Sequence, residues 1–184
     1  MKALVAASLA LLAAPAWAQT LTVEKMSAAL LRYERDSADE YARVSKLATL
    51  SESSRDEVRI WPTWATFDPS TNGIATVGYI VTDREWQLCR IAYKGQSTAA
   101  ESGVCKRQAA RASPEQIRAH LRRLTELADS SIECGISDGE WLTIDAVSNG
   151  KRFTVAAGNP GACPGNAARV VSRFLSSVRT PQRL

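Results

Sequence analysis

The sequence of 184 residues has a single histidine, His120. Any Ser-His-Asp or Cys-His catalytic set would have to use it. His120 lies among leucines and arginines, with Arg118, Arg122 and Arg123 close by in sequence. The nearest carboxylate on that side, Glu115, is five residues back and on a different helix face. Packing at the edge of a core is therefore the expected role of His120. The chain also lacks a Gly-rich phosphate loop, a Walker pattern and a G-x-S-x-G elbow, which removes the common nucleotide-binding and α/β-hydrolase signatures. Gly158-Asn159-Pro160-Gly161 precedes a helix and could hold an anion there, but turn chemistry accounts for the same residues. There is no C-x-x-C pair, and one histidine cannot complete a zinc set. No metal and no cofactor are expected.

Long apolar runs are missing as well. Ala3 to Ala14 is apolar but too short to span a bilayer. It follows the positive Lys2 and ends near Ala16-Trp17-Ala18, an A-x-A-like cleavage site. Residues 1–18 read as a secretory signal peptide cut after Ala18. No cysteine follows the cut, which argues against a lipid anchor, and no later segment has transmembrane length. The expected compartment is the periplasm or the outside of the cell. Residues 19–184 have the length of one domain. The formal charge is +4, and loss of Lys2 leaves 22 basic against 19 acidic side chains. That mild excess favours contact with anionic envelope surfaces and falls far short of a nucleic-acid binder.

Four cysteines remain: Cys89, Cys105, Cys134 and Cys163. An even count in an exported chain reads as two disulfides. A hairpin register helps to choose among the three pairings. Asn149-Gly150 suits a type I′ turn, which needs φ > 0 at both central residues. A two-residue turn then pairs Ser148 with Lys151, Ala146 with Phe153, Ile144 with Val155 and Leu142 with Ala157. The last three pairs put six apolar side chains on one face. The other face pairs Val147 with Arg152, Asp145 with Thr154 and Thr143 with Ala156. It is mixed, and is expected to be at least partly wet. Cys134 and Cys163 lie at nearly equal distances beyond the open end of this hairpin. Cys134–Cys163 is the expected bridge, and Cys89–Cys105 is the remainder.

Earlier in the chain, residues 22–50 carry a helical stripe of Met26, Leu30, Tyr33, Ser37, Tyr41, Val44 and Ala48. Arg32–Asp36, Arg35–Asp39 and Asp39–Arg43 are spaced for i,i+4 pairs. Val58 to Phe67 is β-like, and Pro62 should confine it to an edge, a bulge or a bend. Trp61 and Trp64 flank Pro62 and Thr63, either as an aromatic clamp for glycan or peptide or as a corner capping the core. Residues 74–93 form a second expected hairpin. It pairs Val81 with Trp86, Tyr79 with Leu88, Ala75 with Ala92 and, less comfortably, Val77 with Arg90. Residues 95–112 read as a long polar loop carrying Lys106, Arg107 and Arg111. Ser113, Pro114 and Gln116 mark the start of a helix with a capping box. Its buried stripe is Ile117, Leu121, Leu124 and Ala128. A last helix follows Cys163, with Pro164 at N1 and Val170 or Val171, Phe174 and Val178 inward.

The expected fold is α+β: an antiparallel sheet built from two hairpins, covered by about three helices and stapled by disulfides. It contains two ββα units, 74–130 and 141–179. The expected function is non-catalytic binding of another envelope macromolecule, most simply a protein, in the manner of an inhibitor or immunity protein. Lys106, Arg107, Arg111, Trp61 and Trp64 are the candidate contact residues. One alternative is an envelope hydrolase using Glu133, Asp138, Glu140 and Asp145. Another is a basic-loop binder of anionic glycan or lipid. The sequence assigns no oligomeric state.

Overall fold

The computed structural model describes residues 21–51, 55–62, 66–68, 73–82, 84–93, 100–134 and 140–179, with only the backbone of Leu21, residues 66–68 and Cys134. The expected signal peptide, Trp64, Asp138 and the Cys134 side chain lie outside that description. In chain order the elements are β1 (Leu21–Lys25), α1 (Ala28–Val44), β2 (Glu57–Pro62), β3 (Thr66–Asp68), β4 (Gly73–Thr82), β5 (Trp86–Tyr93) and β6 (Ala100–Gln108). They continue with α2 (Pro114–Thr125), β7 (Ser130–Cys134), β8 (Trp141–Ser148), β9 (Lys151–Gly158) and α3 (Asn166–Val178). None of the described helices is long and apolar enough to cross a membrane.

Both hairpins form in the expected registers. Asn149 and Gly150 turn with φ of 52° and 72°, and Ile144 pairs with Val155 as Ala146 does with Phe153. In the β4–β5 hairpin, Val81 meets Trp86, Tyr79 meets Leu88, and Val77 does lie opposite Arg90. That second turn lacks glycine. The Thr82 hydroxyl holds it instead, accepting from the Arg84 and Glu85 amides at 3.2 and 2.9 Å.

The sheet is larger than two hairpins. Its order is β1-β7-β9-β8-β2-β4-β5-β6, with β3 added on β4. Every pairing is antiparallel except β7 with β9, which is parallel. β2 separates the hairpins and is central, where Pro62 pointed to an edge, a bulge or a bend. The reason is positional. Pairing with β4 stops at Ile60, and Pro62 pairs only with Leu142 on the β8 side. The missing amide therefore falls at the strand end, where the ladder toward β4 has already closed.

Alternation assigns the two faces. Val58, Ile60, Leu142, Ile144, Ala146, Phe153, Val155 and Ala157 form the main core with Ile132. Ile117, Leu121 and Leu124 of α2 and Ala168, Val171, Phe174, Leu175 and Val178 of α3 cover it. The capping box at Ser113 is present as expected. The last helix starts two residues later than Pro164, because Gly165 takes φ of 106° and serves as the N-cap.

α1 packs on the opposite face, so the helices do not share one side of the sheet. Residues 22–25, assigned to this helix from sequence, belong instead to the edge strand Leu21–Lys25. The helix buries Glu34, Ala38 and Ala42, and leaves Tyr33 66 % exposed. The fully buried line lies one position beyond the expected stripe, although Tyr41 and Val44 of that stripe do pack against the core. The small alanines give the helix its close approach, and the polar groups beside them find partners below. Ala38 packs with Trp61, Ile80, Cys89, Ile91 and Tyr93 in a second, smaller core.

Beneath α1, the hairpin face expected to be wet is dry. Thr143, Asp145 and Thr154 are buried. Arg152 donates to Asp145 at 2.9 and 3.0 Å, to Asp39 at 2.8 Å and to the Leu50 carbonyl at 3.0 Å. Arg35 donates to Thr154 and Asp129, both at 3.1 Å. Thr143 donates to the buried Glu34 carboxylate. Arg35 and Asp39 thus bond across to the sheet, and Arg43 bonds to Glu40. The expected Arg35–Asp39 and Asp39–Arg43 pairs give way to these contacts.

Cys89 and Cys105 face each other across β5 and β6 and are disulfide-bonded, with Cα atoms 4.0 Å apart. Cys163 is also disulfide-bonded. The stretch expected to be a loop at 95–112 contains β6, a nine-residue strand. Its polarity marks an outer strand with much of its surface in water, which sequence alone does not separate from a loop.

Candidate functional site

At one end of the sheet, five segments distant in sequence converge. Glu57 pairs with Thr82, which sets Arg55 and Asp56 beside the β4–β5 turn with Arg84 and Glu85. Trp86 pairs with Gln108, which brings Arg107 to the same turn. The Asn149 amide donates to Asp56 at 2.8 Å and ties in the β8–β9 turn. The N-terminal half of α2 contributes Arg118. Two adjoining open clefts of about 390 and 410 Å³ result, and they share Arg55 and Arg84. Trp86, Arg107 and Gln108 line one, and Asp56 and Arg118 line the other.

Four guanidinium groups line this basin against two carboxylates, Asp56 and Glu85. Arg107 pairs with Glu85 at 2.6 Å, and Arg118 with Glu115 at 3.3 Å. The Arg107 hydrogen bond holds the Glu85 carboxyl below its usual range, with help from Gln87 and Arg55. Glu85 in turn pushes the Arg107 guanidinium up. Guanidinium groups do not give up protons near neutrality, so this set is unsuited to acid–base work. It suits planar oxyanions, which arginine holds through paired N–H donors.

The contact residues expected from sequence do not stay together. Arg107 joins the basin. Lys106 is exposed on the opposite face of β6. Arg111 donates to the Arg179 carbonyl at 2.8 Å, in a separate cleft lined by Glu140 and Ser172. Trp61 is fully buried, so its ring caps the core and does not clamp a ligand. The reading of His120 as edge packing agrees with its place against Phe174, ring centroids 5.8 Å apart. Burial, then Arg123 and Arg173, lower its pKa.

The acidic candidates are also dispersed. Asp145 is buried under α1, and burial raises its pKa against the opposing pull of Arg152. Glu140 is paired with Arg179 at the end of α3, on the other side of the sheet. Glu133 accepts from Ser131 at 3.2 Å on β7. Arg55, Arg84 and Arg118 were missed in the sequence, since only the strand order brings them together. Comparison with protein-family models, curated proteins and solved structures finds no match.

Proposed function

We propose that this chain is an exported, non-catalytic binding protein that docks an acidic surface of another envelope protein on the arginine basin. The observation that carries this reading is the convergence of Arg55, Arg84, Arg107 and Arg118 on two joined open clefts. Clustered guanidinium groups at a shallow surface recognise carboxylates without needing a deep pocket. The Cys89–Cys105 bridge supports an oxidising compartment, and residues 1–18 supply the export signal. The partner resembles an inhibitor target or a toxin-like protein in presenting an acidic face.

The test is capture by crosslinking in periplasm, at low and at raised salt. A stoichiometric protein partner should be recovered, and recovery should fall with salt. The triple change Arg55→Glu, Arg84→Glu, Arg118→Glu should abolish capture while leaving the circular dichroism unchanged. Undiminished capture by that variant would refute the basin as the contact. Binding of the purified chain to anionic vesicles or envelope glycan, with no protein captured, would replace the partner class.

A further inference from the structure

The cleft at the C-terminal end of α3 is separate from the arginine basin and has a volume of about 470 Å³. Both of its walls are tied to one ion pair. Arg179, the C-cap of α3, donates through both Nη atoms to Glu140, the residue before β8. The Glu140 carbonyl accepts from the Asn159 amide at 2.7 Å, and the Asn159 carbonyl accepts from the Ala162 amide at 3.0 Å. These bonds hold the 159–162 turn beside the pair as one wall. Ser172, Leu175 and Ser176 of α3 form the other. Gly161 leaves the space open, since a Cβ there would meet nothing within 4 Å.

Arg111, between β6 and α2, completes the lining. Its Nη1 donates to the Arg179 carbonyl at 2.8 Å, which fixes the exposed guanidinium against the helix end. Among the described residues, its Nε and Nη2 have no acceptor and no carboxylate pairs with it. Glu140 cancels Arg179, so the lining keeps one uncancelled positive charge. A guanidinium offers two parallel N–H donors, the match for a carboxylate. A phosphate dianion fits less well, because Glu140 and the negative end of the α3 dipole face the same cleft. A broad acidic protein surface does not enter a concavity of this size, whereas a small molecule or a chain end does.

The serines add a second constraint. Ser172 and Ser176 are four residues apart on α3 and share a helix face. The Ser176 hydroxyl donates to the Ser172 carbonyl at 2.9 Å. Its proton is committed, so its oxygen offers a ligand only lone pairs. An acceptor in a cleft that also anchors a carboxylate selects a ligand with an N–H near that carboxylate. An N-acylated amino acid has this pattern, and so does the last residue of a peptide. Leu175 and Pro160 supply apolar surface for its side chain.

We infer that this cleft binds the free carboxylate of an N-acylated amino acid residue, with Arg111 as the anchor and Ser176 as acceptor for the adjacent N–H. Titration of the mature, oxidised chain with N-acetylglycine, followed by amide chemical shifts, tests this. Saturable shifts at Gly161, Ala162 and residues 172–176 are expected in the millimolar range. N-acetylglycinamide, which lacks the carboxylate, should bind at least about tenfold more weakly. Arg111→Gln should weaken N-acetylglycine by a similar factor, and Arg111→Lys should retain part of the binding as a point charge. Ser176→Ala should reduce N-acetylglycine to the affinity of acetate, which has no N–H, and leave acetate itself unchanged. Amide shifts elsewhere that match the parent show that each variant is folded. A tripeptide with a free C-terminus that binds more tightly than N-acetylglycine would assign the site to peptide ends, and equal binding would assign it to small acids. The inference would be overturned by the absence of saturable shifts, by equal binding of N-acetylglycinamide or inorganic phosphate, or by an unaltered affinity in Arg111→Gln.

Discussion

Burial and the charges of Arg123 and Arg173 set the titration of His120. Burial is the larger cause of its lowered pKa. The unfolded chain then binds more protons than the native one between that lowered value and the ordinary value of 6.5. Stability from this group is complete above pH 6.5 and is lost as pH falls through the folded value. Urea titrations at pH 7.5 and pH 5 should show a decline on acidification that His120→Gln reduces. Gly78 is a second single-residue case. A Cβ there would overlap the Trp61 ring and sit 3.0 Å from the Ile60 carbonyl oxygen. Trp61 is fully buried and has no room to move. Gly78→Ala should cost about 1–3 kcal/mol, read as a lower urea midpoint with unchanged slope. The sequence announced some residues well, because their signal is local. Asn149-Gly150 and Ser113-Pro114-Gln116 each determine their own backbone. The role of Glu34 was invisible, since its partner Thr143 is brought near only by the packing of α1 on the sheet.

The elements show where local reading stops. Hairpin registers follow from turn position and alternation, and both were legible. The order of strands was not. Nothing within β2 says that it lies between β8 and β4, and Pro62 argued against it. The stretch containing β6 read as loop because one strand neighbour and much exposed surface give it little apolar pattern. α1 is the most instructive element. It docks through ion pairs and alanines as well as Tyr41 and Val44, so a stripe of large apolar residues located only part of its buried face. Its docking depends on Arg152, whose side chain is 15 % exposed over an Asp145 side chain at 2 %. Arg152→Met should cost about 3–5 kcal/mol, because Asp145 would be left charged and buried without a partner. The folded-state pKa of Asp145 is already raised, so the native state binds its proton the more tightly. Without Arg152 that pKa rises further. Acidification through it should return part of the loss, whereas at neutral pH the loss is complete. Thermal melts of both proteins across pH 4–7.5 would show the gap narrowing as pH falls.

For the whole molecule, the α+β class was legible and the layering was not. Periodicity says which residues are inward, but not which of two sheet faces each helix takes. The arginine basin has the same origin, since its members meet through strand order and not through spacing in the chain. The Cys89–Cys105 bridge closes a segment with a sequence separation of 16 and fixes β6 on the sheet. Replacing both residues with serine should cost about 3 kcal/mol, measured by urea denaturation. Amide exchange in β6 should rise more than in β8. The parallel contact between β7 and β9 has a further consequence. Among the described residues, β9 alone joins the β1–β7 pair by strand pairing to the strands from β8 to β6, and it is the last strand described. A nascent polypeptide leaving a ribosome or a translocation pore N-terminus first must hold both fragments unjoined until its final strand arrives. Chains halted at Asn149 should therefore be cut readily by proteases. Those extended past Gly158 should resist, as a keystone dropped into place locks the arch on either side.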